Sequence, residues 1–203
     1  MSNKFSTKHI AIAAGLSALS AALQLNHIGY HSPTWGMWID IVAVSWIVAY
    51  FLFGFRMSLV VSLMGAVVIT LFSPDTWLGA SMKFVATVPI FVVFAIFVSA
   101  QKKTFKNYKN VNNLIFPFLI AVVLRCLIVL PLNYFYAIPI WTKMTPAAAW
   151  AAIPWYVIAI FNIVQSAVDV GFAWILVYRF KLDRYSKSLK GDNDKDIETV
   201  KAD

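Results

Sequence analysis

Two full charges stand inside otherwise apolar stretches, Arg125 in one and Asp169 in another. A charge in hydrocarbon is costly unless it is paired, so each needs a reason to be there. One acid and one base can satisfy each other as a structural ion pair, the preferred reading, or pass a proton between them. A second polar set comprises Asn133, Asn162, Gln165 and Lys83, with Tyr134, Tyr136, Trp155, Tyr156 and Phe161 close by in sequence. Amides both donate and accept, so amides framed by aromatic rings suit the edge of a flat heterocycle in a vitamin-sized pocket. The same amides could simply hydrogen-bond between helices. A third pattern is Ala14, Ala18 and Ala22 at four-residue spacing, flanked by Ala11, Gly15, Ser17 and Ala21. Small side chains let backbones approach in lipid, so this stripe packs against a helix of the same chain or docks a partner.

Other chemistries find no footing. The sequence holds no Walker-type glycine loop, no GxSxG and no HExxH. His27 and His31 are four apart, but Gly29 and Pro33 around them argue against a helical metal pair. Cys126 is the single cysteine and lies in an apolar stretch, which excludes a disulfide framework and a CxxC metal site. No nucleophile and base pair is recognisable, so the chain is expected not to be an enzyme, and to carry neither metal nor cofactor.

The elements that must position these residues are set by composition. Of 203 residues, 61% are hydrophobic and only 13% charged, against about half and one quarter in a soluble domain. The expected fold class is an all-α membrane protein, a compact bundle of six transmembrane helices. The apolar segments are residues His9–Leu25, Ile39–Phe55, Met57–Phe72, Phe84–Ala100, Leu114–Ile138 and Pro154–Phe180, each near the roughly 20 residues a span requires. Gly54-Phe55-Arg56 between the second and third reads as a tight helical hairpin. The N-terminal segment is expected to be retained rather than cleaved as a signal, because its apolar run is too long and lacks a small-x-small site.

The formal charge of +8 is explained by topology rather than by nucleic acid. Lys4, Lys8, Arg56, Lys102, Lys103, Lys106, Lys109, Arg179, Lys181, Arg184, Lys187 and Lys190 fall at one set of segment ends, and only Lys83 and Lys143 at the other. By the positive-inside rule both termini are cytoplasmic, in a multi-pass protein of the cell membrane. Residues 1–185 form the membrane domain and 186–203, polar and of mixed charge, a disordered tail. Asn26–Trp38, uncharged and rich in Gly, His, Pro and Trp, is long enough to fold over the outer end of the bundle.

Depth then brings the polar groups into register. Arg125 is 11 residues into its segment and Asp169 is 11 residues before the end of its own, so both lie about 16 Å deep from the cytoplasmic side at 1.5 Å per residue. Asn133, Asn162, Gln165 and Lys83 all fall in the outer half.

Four stretches resemble the substrate-binding S components of energy-coupling factor (ECF) transporters, and among them the riboflavin-specific group. Asn133-Tyr134 followed by four residues and Pro139 is similar to that group's Asn-Tyr element, and Phe161-Asn162 with Gln165 to its Phe-Asn-x-x-Lys. Trp38-Ile39-Asp40 matches a stretch ending in Ile-Asp, and Gly79 through Ala86 follows a Gly-x-x-x-Asn-Phe-x-Ala pattern. Gln165 stands where the group has lysine, and Lys83 where it has asparagine, as though polar chemistry were exchanged between helices. Arg125 and Asp169 have no counterpart in the pattern. The resemblance implies a six-helix bundle that binds riboflavin as transported ligand near its extracellular face, with Asn133, Asn162, Gln165, Lys83, Tyr136, Trp155, Tyr156 and Asp40 around it. It implies partners too: a membrane scaffold subunit docked on Ala14, Ala18 and Ala22, and two ATPase subunits that hydrolyse ATP. The alternatives are an S component for another vitamin or cofactor precursor, and a solitary proton-coupled carrier or small channel using Arg125 and Asp169.

Overall fold

The structure, a computed structural model, describes residues 7–72, 77–102 and 104–184. The proposed tail lies outside these residues, as do Lys4, Lys103, Lys187 and Lys190. The main elements are helices α1 (Thr7–Leu25), α2 (Val44–Phe53), α3 (Phe55–Phe72), α4 (Trp77–Ala100), α5 (Val111–Leu132), α6 (Ile138–Thr142), α7 (Pro146–Ala152) and α8 (Trp155–Trp174). Two short strands, β1 (Gly29–His31) and β2 (Trp38–Asp40), pair antiparallel between α1 and α2, with Tyr30 opposite Ile39.

Among the described residues, five helical stretches are long and apolar enough to cross a membrane: Thr7–Leu25, Phe55–Phe72, Trp77–Ala100, Val111–Thr142 and Trp155–Arg179. Burial on α5 shows why the bundle belongs in lipid. Leu114, Pro117, Ala121, Val122, Arg125 and Val129 are buried, whereas Ile115, Phe116, Leu119, Ile120, Val123 and Leu127 are exposed. An arginine turned inward while isoleucine and phenylalanine turn outward is unfavourable in water and favourable in a bilayer. The protein is thus a multi-pass membrane protein.

The second expected span differs. Helix α2 covers only 10 residues, about 15 Å, half of a hydrocarbon core of roughly 30 Å. Every residue from Val44 to Phe51 is buried, so α2 is a central helix, apolar all round because protein surrounds it. The first part of the expected segment is β2 instead, an extended chain that enters the bundle before the helix begins. Helix α2 stops at Gly54, whose N–H reaches the Tyr50 carbonyl at 2.8 Å, and α3 starts at the next residue. The tight hairpin read from the sequence is therefore present.

At the end where α2 stops, aromatic rings close the core. Tyr50 stacks parallel to Phe91 at 6.1 Å, and Phe51 meets Tyr178 at 5.4 Å. The turn between α4 and α5 is pinned there by the Tyr108 hydroxyl donating to the Phe94 carbonyl (2.7 Å) and by the Trp174 indole donating to the Tyr108 carbonyl (2.9 Å). Arg56, Lys102, Lys106, Lys109, Arg179 and Lys181 are exposed around this end.

Candidate functional site

At the opposite end, below the β-hairpin, lies a cavity of about 400 Å³, within the range of small-molecule sites (roughly 300–1,000 Å³). Its polar lining gathers residues far apart in sequence: Asp40 from β2, Lys83 from α4, Arg125 from α5, Asn133 just past α5, and Asn162 and Gln165 from α8. The lining goes no deeper than Arg125 and Gln165, and the apolar core around Trp46, Tyr50, Phe91 and Phe94 lies beyond.

Helical spacing explains the α8 contribution. Ile158, Asn162, Gln165 and Asp169 recur at three- and four-residue intervals on one face, and Gln165 and Asp169 are buried. On the α5 side the helix widens into a π-helical turn over Asn133–Ala137. Pro139 follows closely and has no N–H to give to the preceding turn, and the Ile138 N–H reaches back to the Asn133 carbonyl. Such widened turns are frequent at functional sites. Here Asn133 comes to line the cavity while Tyr134 is buried, its hydroxyl donating to the Ile153 carbonyl at 2.6 Å.

The charged groups form one continuous network. The Lys83 ammonium pairs with Asp40 Oδ2. Asp40 Oδ1 accepts the Val42 N–H at 2.9 Å. Gln165 then grips the Asp40 backbone from both sides, its Oε1 accepting the Asp40 N–H (2.9 Å) and its Nε2 donating to the Asp40 carbonyl (2.8 Å). The same Nε2 donates to Asp169 Oδ1 at 2.8 Å. Asp169 Oδ2 faces Arg125 Nη1 at 3.7 Å, beyond hydrogen-bond length, and neither atom has a hydrogen-bond partner among the described residues. Arg125 is held instead by Nε donating to Asn162 Oδ1 at 3.0 Å. Two acids and two bases thus balance within the bundle.

Several expectations meet this geometry. Arg125 and Asp169 do come together as an ion pair, and Arg125 also lines the cavity. Lys83 is not a loop residue at the helix mouth; it lies inside α4, beside Asp40. The amides are less available than expected. Asn133 and Asn162 both donate Nδ2–H to carbonyls of their own helices, Val129 and Ile158, each at 2.9 Å. Gln165 has both ends engaged.

Of the aromatic residues expected near the amides, Phe161 lines the cavity, while Tyr136, Trp155 and Tyr156 do not. Trp155 and Tyr156 are 56% and 52% exposed and absent from the cavity lining; Tyr156 shares its face of α8 with exposed Ile160 and Ile163, and the Trp155 ring packs edge-on against it at 6.1 Å. Tyr136 packs edge-on to Trp77 at 6.4 Å, away from the lining. The rings that do line the cavity are His27, His31, Trp35, Trp38, Trp141 and Phe161. Most sit on the Asn26–Trp38 connection, where the Trp38 ring packs at a tilt against His31 with centroids 4.6 Å apart. That connection carried its signal in its lack of charge and its aromatic content.

The lid is fastened through Gly36. Its N–H donates to the Ser32 carbonyl (2.9 Å) and its φ is +63°. A Cβ there would run into the Trp141 ring. Only glycine accepts both demands at little cost.

On α1, Ala13, Ser17, Ser20 and Ala21 are buried, with the Ser17 hydroxyl donating to the Val61 carbonyl of α3 at 3.1 Å. Ala14, Ala18 and Ala22 occupy the adjacent face and are exposed. The helix therefore has two small-residue faces, one packed inside the chain and one turned outward.

No protein-family model matches the sequence, and no curated protein matches it. Among solved structures, the chain is similar to one described as the S component of a bacterial ECF transporter. The two share 24% identity, with a TM-score of 0.64 over 90% of this chain and 98% of the other. The fold is that of an ECF S component.

Proposed function

We propose that this chain is the substrate-binding S component of an ECF-type importer and that its ligand is riboflavin, bound in the cavity beneath the β-hairpin. The observation that carries this reading is the cavity itself. It opens at one end of the bundle, is walled by tryptophan rings and Phe161, and stops at a polar floor above a filled core. A blind cavity of that kind binds a molecule; it does not conduct one. The S-component fold supports the same reading. In this orientation the hairpin faces outward, and the basic end and both termini face the cytoplasm. The outward-facing Ala14, Ala18 and Ala22 dock a membrane scaffold subunit, and two ATPase subunits supply the energy.

Riboflavin has a flat tricyclic ring, a hydrogen-bonding pyrimidine edge and a polyhydroxyl tail. Trp35, Trp38, Trp141 and Phe161 are suited to covering the ring, which supplies most of the binding energy. Asn133 Oδ1, which accepts no hydrogen bond among the described residues, is suited to the ring N–H. The test is fluorescence titration of the purified, ligand-stripped protein. Saturable quenching of micromolar riboflavin is expected. Asn133→Ala should weaken it about ten- to hundredfold, for one buried contact of about 1–3 kcal/mol, whereas Lys106→Ala should leave it unchanged. A well-folded preparation that produces no saturable quenching would sink the riboflavin assignment.

A further inference from the structure

The donors and acceptors around the cavity are unequal in number. Arg125 is 3% exposed and carries five N–H donors, yet it makes one hydrogen bond, to Asn162, among the described residues. Its Nη1 has no hydrogen-bond partner. Lys83 carries three donors and meets one partner, Asp40. The acceptors are largely engaged already. Asp40 uses its two carboxylate oxygens on Val42 and Lys83, and the Asn162 oxygen takes Arg125. Asp169 accepts from Gln165 and does not line the cavity. The amide oxygens in the lining without a donor among the described residues are those of Asn133 and Gln24.

We propose that Arg125, together with Lys83, is the group that reads the inserted edge of the ligand, and that this edge must be rich in oxygen acceptors. A planar pair of acceptors matches the fork of a guanidinium, and hydrogen bonds from a charged donor are the strong ones. The pair of carbonyls on a heterocyclic imide and the oxygens of an aromatic carboxylate share this chemistry. A cationic heterocycle does not. It would add an unbalanced positive charge to a lining whose two cations already have carboxylate partners, with no unengaged carboxylate oxygen there to receive it. The inference rests on the reading of this cavity as the ligand site. It differs from the sequence expectation, in which Asn133, Asn162, Gln165 and Lys83 meet the ligand and Arg125 serves a structural ion pair.

The experiment is a binding panel on the intact protein in detergent: riboflavin as the imide, nicotinate as the aromatic carboxylate and thiamine as the cation. At least one of the first two is expected to bind, and thiamine is not. Arg125→Lys keeps a cation beside Asp169 while losing the fork, and should weaken the bound probe by tenfold or more at an unchanged melting temperature. A ligand-side change guards against a variant that fails to fold. Replacing a carbonyl oxygen of the bound probe with sulfur should weaken binding to the unmodified protein by a similar factor. Nicotinate bound through Arg125, with no riboflavin binding, would remove the riboflavin assignment and keep this inference. Riboflavin bound equally well by Arg125→Lys would do the reverse. Thiamine binding, or no binding by any of the three, would overturn the inference.

Discussion

Gln165 has an unusual load for one side chain. It joins β2 to α8 through both Asp40 backbone groups and reaches on to Asp169. Replacing it with leucine would leave three buried polar partners unsatisfied, each costing about 1–3 kcal/mol. Gln165→Leu is therefore expected to lower the melting temperature as well as weaken ligand binding, which differential scanning fluorimetry beside the riboflavin titration would show. Its role is to hold Asp40, and through it Lys83, in place. The Arg125–Asp169 pair gives a second test. Either single change to leucine leaves a buried charge alone, a loss on the order of a few kcal/mol. The double leucine variant should recover much of that stability, though not all, since Asn162 and Gln165 each lose a partner. A double variant no more stable than the worse single one would show that the two charges are not coupled. Both charges were legible in the sequence because an ion inside an apolar run has few explanations. The engagement of the amides was not legible, since spacing alone cannot show whether an asparagine turns back onto its own helix.

At the level of elements, the long helices could be read from apolar length, but α2 could not be read in full. Residues 39–43 are apolar except for Asp40, and the pairing of Trp38–Asp40 with Gly29–His31 keeps the chain extended as far as Asp40, with a turn before the helix begins. A long-range strand contact overrode local pattern. The hairpin lid that results depends on Gly36. Gly36→Ala should cost about 1–2 kcal/mol through its left-handed backbone, and its methyl group would displace Trp141. The lid lies outside the main core, so the expected result is faster riboflavin release in stopped-flow measurements with little change in melting temperature. Helix α1 offers a test on its outward face. Ala14→Trp and Ala18→Trp add bulk on a face that is exposed among the described residues, so folding and ligand binding should persist while assembly with the proposed scaffold subunit is blocked. Loss of folding in these variants would assign the face to contacts within the chain.

For the molecule as a whole, the decisive feature is that the polar path ends. From the hairpin end the lining runs inward through Lys83, Asp40, Gln165 and Arg125, and past them Trp46, Tyr50, Phe51, Phe91 and Phe94 fill the interior down to the basic end. A solitary proton-coupled carrier needs its buried acid to communicate with both sides in turn. Asp169 is 1% exposed, and Gln165 covers it toward the cavity. Among the described core residues no charged group continues from it toward the α4–α5 turn; the buried polar groups near that end include the tyrosines Tyr50, Tyr108 and Tyr178, and Tyr108 and Trp174 are committed to holding the turn. Opening such a path would require breaking the aromatic packing around Tyr50 and Phe94, and interiors this closely packed change by discrete rearrangement rather than gradual deformation. The expected behaviour is therefore dependence on partners. Reconstituted alone into proteoliposomes with an inward proton gradient, the protein should bind riboflavin at about one site and accumulate none, and dissipating the gradient should change nothing. Uptake that collapses with the gradient, and that is lost in Asp169→Asn while binding survives, would assign transport to this chain by itself.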